Sequence, residues 1–229
     1  MSQIADNLGV VRRQIYLAST KRGNESKDVT LVAVSKGQTV ARIYEAYDYG
    51  VRVFGENRVQ ELMEKIPLLP SSIEWHMIGH LQRNKVKQIV GRVTLIHSVD
   101  SLRLAEEINK VATMQGVVQD ILVEVNISGE ESKLGITAGE TSELVTQISA
   151  FPGIRLCGLM TIAPYTENGE DNRLYFTKLS QLLVDIKTKN RDNEAMQNFT
   201  MLSMGMTGDY TVAIEEGAGL VRIGTAIFG

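Results

Sequence analysis

The chain has one cysteine, Cys157, among its 229 residues, so no intrachain disulfide can form and a reducing, cytoplasmic location is the expectation. It has little net charge. With 24 Lys+Arg against 27 Asp+Glu the balance is -3, and no general field draws it to nucleic acid or to anionic lipid. No apolar run approaches the length of a bilayer-spanning helix, so no membrane association is expected. Residues 1–22 lack the basic start and apolar core of a signal peptide. There is no linker, low-complexity tract or internal repeat, and one domain over residues 1–229 is the simplest expectation. What is present, 43% hydrophobic and 22% charged, is the ordinary composition of a soluble globular protein.

Ile4, Leu8, Val11 and Ile15 fall on one side of a helix, which reads as a packing helix. After it, short apolar strand candidates at 31–35, 51–54, 74–78, 94–97, 121–126, 154–159, 200–202 and 220–224 alternate with amphipathic stretches. Those stretches lie at 40–49, 58–66, 84–90, 102–114, 140–150, 171–189 and 210–216. Such alternation means βαβ units on a parallel sheet. Eight repeats in this length fit an α/β fold of the (β/α)8 TIM-barrel type, with an extra N-terminal helix. Only residues 225–229 follow the last strand, too few for a full closing helix, and the N-terminal helix is expected to cover part of the bare surface. In this fold, chemistry sits at the C-terminal strand ends.

Lys36 closes the first strand in Thr30-Leu-Val-Ala-Val-Ser-Lys36-Gly37, and Gly37 lets the chain turn away. A lysine with its stem among apolar neighbours loses its proton more readily, and a neutral amine forms Schiff bases with carbonyls. The plainer alternative is a solvated lysine that marks a strand end. Ser203-Met-Gly-Met-Thr207-Gly-Asp209 follows strand seven, Gly224-Thr225 follows strand eight, and loops there form the common phosphate cup of a barrel. Ordinary turn chemistry would use the same residues. Asp209 reads as the N-cap of the helix from Tyr210. Arg222 lies inside the last strand and needs a polar ligand, or a barrel salt bridge to Glu56, Glu124 or Glu215. One ligand with an aldehyde, a phosphate and a ring nitrogen would satisfy Lys36, the cup and Arg222 together; pyridoxal 5′-phosphate (PLP) is such a ligand. An arginine can only donate, so it would hold the ring nitrogen unprotonated and weaken the ring as an electron sink.

Other polar residues have two readings each. Asn57 could touch a ligand from the rim or cap the following helix, and the local pattern favours the cap. His76 and His80 are four apart, but they run from a strand across Gly79 and lack the glutamate of the helical zinc motif, so no metal is expected. Arg83, Lys85 and Lys87 read as a solvated helix face, and Met160 as core. Residues 124–128 and 133–135 flank a polar loop after strand five.

Together these motifs resemble the pyridoxal phosphate homeostasis protein family, which has the fold of the alanine racemase N-terminal domain. The resemblance covers nearly the whole chain. It rests on Leu31-Val-Ala-Val-Ser-Lys36, Phe54-Gly-Glu-Asn57, Trp75-His-Met-Ile-Gly-His-Leu-Gln-Arg-Asn-Lys85, Val125-Asn126-Ile127, Lys133-Leu-Gly135, Gly158-Leu-Met160, Leu202-Ser203-Met-Gly-Met-Thr-Gly-Asp209 and Val221-Arg222-Ile-Gly-Thr225. It implies PLP held as a covalent aldimine on Lys36, with Ser203, Gly224 and Thr225 on the phosphate and Arg222 on the ring nitrogen. Asn57 and Met204 would add contacts. The motif usually has serine where Thr207 stands, and threonine keeps the hydroxyl. The family is regarded as non-enzymatic and concerned with vitamin B6 and amino-acid homeostasis, so no catalytic residue is expected, and PLP-acceptor enzymes are the expected partners.

Absence supports the same expectation. The related racemase brings a tyrosine from another domain, for which a chain ending at Gly229 leaves no room; Tyr165 and Tyr210 are not placed opposite Lys36 by anything in the sequence. A slow PLP-dependent racemase, a Schiff-base aldolase and a barrel that binds a protein partner are the rivals. No long apolar helix face is left over to demand a dimer, so a monomer is expected.

Overall fold

The computed structural model describes residues 2–22, 29–130 and 133–229. Helix α1 (Gln3–Arg22) precedes strand β1 (Thr30–Val34), and α2 (Val40–Asp48), β2 (Val53–Glu56), α3 (Val59–Lys65) and β3 (Glu74–Met77) follow. Next come α4 (Val86–Ile89), β4 (Leu95–Val99), α5 (Leu102–Gln115), β5 (Gln119–Asn126), β6 (Ile136–Thr137) and α6 (Ala138–Ser149). The chain ends through β7 (Ile154–Met160), α7 (Arg173–Lys189), β8 (Met201–Ser203), α8 (Tyr210–Glu215), β9 (Leu220–Ile223) and α9 (Thr225–Phe228). Every strand pairing is parallel. The order β4-β3-β2-β1-β9-β8-β7-β5, with β4 pairing back onto β5, closes an eight-stranded barrel, and β6 is appended to β5.

All eight expected strands and seven expected interleaved helices are present, with ends moved by at most two residues. The expected helix 84–90 opens as a 3-10 turn, Arg83–Lys85, and only Val86–Ile89 is α-helical. Two elements went unforeseen. β6 is two residues long and exists because Val125 and Asn126 pair with Ile136 and Thr137. α9 is a single turn after the last strand. Helix α1 does cover that end: it packs on α2, α8 and α9, and buries Ile4, Leu8, Val11 and Ile15. Gln3 Nε2 and Asn7 Nδ2 donate to the carbonyls of Gly229 and Ile227, each at 3.0 Å, and tie the last turn down.

The strand pleat sorts side chains into two cores. Ala33, Phe54, Met77, Ile96, Val123, Leu202, Val221 and Ile223 face outward into the main core under the helices. Val32, Ile78, Leu95, Leu122, Cys157, Met160 and Leu220 form a separate cluster that fills the barrel interior. Met160 is therefore core. A bulge in β7 lets Cys157 and Met160 both point inward: the register with β5 slips between Ile121 and Leu122, opposite Leu156 and Gly158. Gly158 is required there, because a Cβ would lie 1.9 Å from the Met201 carbonyl oxygen.

Candidate functional site

The same alternation places the polar residues. Lys36 continues the inward parity of Val32 and Val34, two residues past the end of β1. Arg222 lies between the outward-facing Val221 and Ile223, Glu124 between Val123 and Val125, and Ser203 next to the outward-facing Leu202. His76 and His97 alternate with outward-facing Met77 and Ile96. The barrel mouth thus gathers side chains from six strands or their ends above an apolar plug.

Lys36 is exposed, not sheltered among apolar neighbours as the strand pattern led us to expect. The reason is Gly37, whose φ of +69° turns the chain away within two residues of the strand end. Lys36 borders a recess of about 210 Å³ with Val34, Gln38, Gly224, Thr225, Phe228 and Gly229. At Gly224 a Cβ would come within 3.3 Å of Val34, so a side chain there would crowd the recess wall. Thr207 reaches across, with its Oγ1 3.4 Å from the Ala226 amide.

Arg222 is 4% exposed and, among the described residues, has no carboxylate within ion-pair distance. The expected salt bridges are not made. Glu56 pairs with Lys65 at 2.7 Å, and Glu215 pairs with Lys21 and Arg173. Glu124 is near enough to interact but is a weak counter-charge: burial first, then Asp100, push its carboxyl up to about 7, against the pull of Arg222. Burial lowers the Arg222 guanidinium to about 10, so it stays protonated at neutral pH.

Instead Arg222 donates Nη1 to Ser203 Oγ at 2.5 Å and Nη2 to the Thr161 carbonyl at 2.8 Å. Ser203 Oγ also lies 2.9 Å from His97 Nδ1, and His97 Nε2 lies 3.0 Å from His76 Nδ1, so guanidinium, hydroxyl and two imidazoles form one hydrogen-bonded chain. Both imidazoles are neutral, burial lowering His76 to about 4 and His97 well below its ordinary value. His76 and His80 do not converge: His80 lies 3.7 Å from Asp100.

One expected helix cap is corrected, and the other holds in position but not in bonding. Asn57 does not cap α3; the N-cap position is Arg58, and no side chain bonds there. Asn57 is half-buried in a recess with His80, Gln82 and Lys85, where its own backbone packs against Gly79. Asp209 occupies the N-cap position of α8 without bonding the helix. Its carboxylate instead accepts from the Met206 amide at 2.7 Å and from Asn172 Nδ2 at 2.8 Å, which shapes the loop after β8. The Met204 side chain is buried in the outer core, so only its backbone can face the mouth. Asn126 staples the loop after β5, accepting from the Gly129 amide at 3.0 Å and donating to the Glu130 carbonyl at 2.8 Å; residues 131–132 of that loop lie outside the described residues.

Sequence reasoning gave no role to His97, or to Lys65, which sits behind Lys36. Polar residues inside otherwise apolar barrel strands were the available signal for His97 and Glu124. For Lys65 there was none, because Glu61 and Lys65 look like an ordinary solvated i,i+4 pair.

The family pattern described as "Alanine racemase, N-terminal domain" matches residues 7–229. A pyridoxal phosphate homeostasis protein of Aquifex aeolicus is 44% identical over 225 residues, which span 98% of this chain and 96% of that one. A crystal structure of an unknown protein from Bifidobacterium adolescentis is similar at a TM-score of 0.93 and 36% identity, covering 99% of this chain and 94% of that chain. PipY of Synechococcus elongatus, in a structure with PLP bound, is similar at a TM-score of 0.84 and 32% identity, covering 99% of this chain and 100% of that chain. With a barrel, a mouth and full-length relatives of this kind, the chain belongs to the pyridoxal phosphate homeostasis protein family.

Proposed function

We propose that this protein binds PLP at the barrel mouth through a covalent link to Lys36 and holds it without efficient catalysis. The observation that carries the reading is Arg222, a buried protonated guanidinium without an ion-pair partner among the described residues, in a mouth shared with an exposed lysine and a glycine-lined recess. The donor set fits the cofactor. Lys36 offers an amine, which joins the aldehyde carbon with loss of one water. Gly224 and Thr225 offer a small, side-chain-poor cradle and a hydroxyl for the phosphate, and Ser203 would join them only by giving up its bond to Arg222 or His97. Arg222 has N–H groups left over for the ring nitrogen, and Asn57 and the Met204 backbone would add contacts. When bound, PLP supplies a carbonyl for the lysine and an electron-withdrawing ring. An arginine facing the ring nitrogen leaves that ring a weak electron sink.

The non-catalytic reading draws on the relatives' names as homeostasis proteins and on PLP in PipY. It also draws on the tyrosines: Tyr165 is 95% exposed, and Tyr210 is packed in the core, where burial raises its hydroxyl's pKa. The one lacks a packed environment to hold it and the other's hydroxyl is a poorer acid for its burial. We read the protein as one domain, monomeric and cytoplasmic, serving vitamin B6 and amino-acid homeostasis by passing PLP to acceptor enzymes. The test is the visible absorption of purified protein, which should vanish in Lys36→Ala; chiral analysis after incubation with single L-amino acids separates the slow racemase.

A further inference from the structure

The turn that carries Lys36 is gripped from behind by a buried cation. Helix α3 places Lys65, 6% exposed, on the outer side of the barrel wall. Its amine has three hydrogens and three acceptors: the Ser35 carbonyl at 2.7 Å, Glu56 Oε1 at 2.7 Å and Glu61 Oε1 at 2.6 Å. Ser35 Oγ donates to the same Glu56 oxygen at 2.6 Å. Glu61 Oε1 in turn accepts from the Gly37 amide at 2.5 Å. The residues on both sides of Lys36 therefore belong to one network, and the Lys36 side chain does not.

A buried ion pair is weak grounds for stability, since desolvation offsets the attraction. This one is also imperfect. One cation faces two carboxylates, Glu56 Oε2 has no partner, and burial raises the Glu56 carboxyl in spite of Lys65 and Ser35. What the arrangement does accomplish is local. It fixes the peptide groups flanking Lys36 in a turn whose glycine, at φ +69°, has the most backbone freedom to lose. At Glu61 burial also raises the carboxyl, but the bonds from Lys65 and Gly37 outweigh it and hold the group below the usual value.

We infer that Lys65 is a positioning residue for Lys36, acting through the Ser35 carbonyl and Glu61 so that the rim amine leaves the barrel in one direction. This rests on PLP attachment at Lys36. Lys65→Met keeps length and burial and removes the donors. Hydrogen exchange of the Gly37 amide in the cofactor-free full chain, and PLP release from the loaded one, should both quicken about tenfold, as expected for losing hydrogen bonds to a charged group. Exchange at Ala33, in the strand, should not change, and Lys65→Arg should recover at least half of the loss on a logarithmic scale. If Lys65→Met does not fold, Glu61→Ala removes the Gly37 acceptor and one of the three Lys65 acceptors, leaving Lys65 on Ser35 and Glu56, and should quicken both by roughly threefold. Unchanged Gly37 exchange and release in either folded variant overturns the inference. A borohydride-trapped adduct on another residue of the parent protein overturns the attachment reading; an adduct on Lys36 with release unchanged in Lys65→Met overturns the positioning role alone.

Discussion

Replacing Arg222 by methionine should leave the cofactor-free protein at least as stable as the parent while loosening its hold on PLP. Burial takes the guanidinium from its ordinary value down to about 10. That drop means the folded state carries the charge at a cost of about 3 kcal/mol. The sign follows from a base whose folded value is lowered: the penalty is full below pH 10, hence at neutral pH, and shrinks as pH rises beyond it. Methionine removes the penalty. It also removes two hydrogen bonds. Ser203 keeps His97 as a partner, but the Thr161 carbonyl loses a donor, which costs about 1–3 kcal/mol. The net change is a gain of about 0–2 kcal/mol. A buried cation with an ion-pair partner would behave differently, its removal costing about 3–5 kcal/mol. Urea denaturation of the cofactor-free protein measures the first effect. Titration with PLP measures the second, a roughly tenfold to hundredfold weaker affinity from losing a charged donor. A cofactor-free variant destabilised by more than about 3 kcal/mol, with PLP affinity intact, would show that Arg222 is a strut of the barrel and refute the reasoning.

Other expectations follow from the same geometry. Glu124 is an acid raised from 4.5 to about 7, so its contribution to stability is full below pH 4.5 and lost as pH rises to 7. Glu124→Gln should remove that slope, worth up to about 3 kcal/mol, and parallel stability–pH curves for the two cofactor-free proteins would contradict it. Gly158→Ala should destabilise by about 3 kcal/mol or prevent folding, because the added carbon meets the Met201 backbone, and an unchanged melting temperature would show that the β7 bulge can relax.

The barrel was legible because each strand carries its own pattern. The apolar run from Leu31 to Val34 is covered on both faces, as parallel barrel strands are, and helix-period stretches separate it from the next. The rim residues Lys36, Ser203, Arg222 and Gly224 were legible for the same reason, since strand ends could be placed to within three residues. What escaped depends on partners distant in sequence. Two-residue β6 exists through its pairing with β5, and no local pattern announces it. Asn57 and Asp209 have the residue types of caps, yet tertiary contacts claim them: Gly79 packs on the Asn57 backbone, and Asn172 with Met206 takes the Asp209 carboxylate. For Arg222 the sequence left a ligand and a salt bridge to Glu56, Glu124 or Glu215 both open, and the choice depends on strands far apart in the chain, which bring Ser203 and the Thr161 carbonyl to the guanidinium. Lys65 was hidden because burial of a helix face is decided by the neighbouring strand ends, and the 3.6-residue period does not reveal it.

Lys36 is the residue proposed to bear the cofactor. Borohydride reduction of the PLP-loaded protein, followed by digestion and mass spectrometry, reads the attachment site directly. A reduced pyridoxyl adduct confined to the peptide containing Lys36 is the result expected; an adduct on Lys133, Lys65 or any other residue, or loaded protein that traps none, would contradict it.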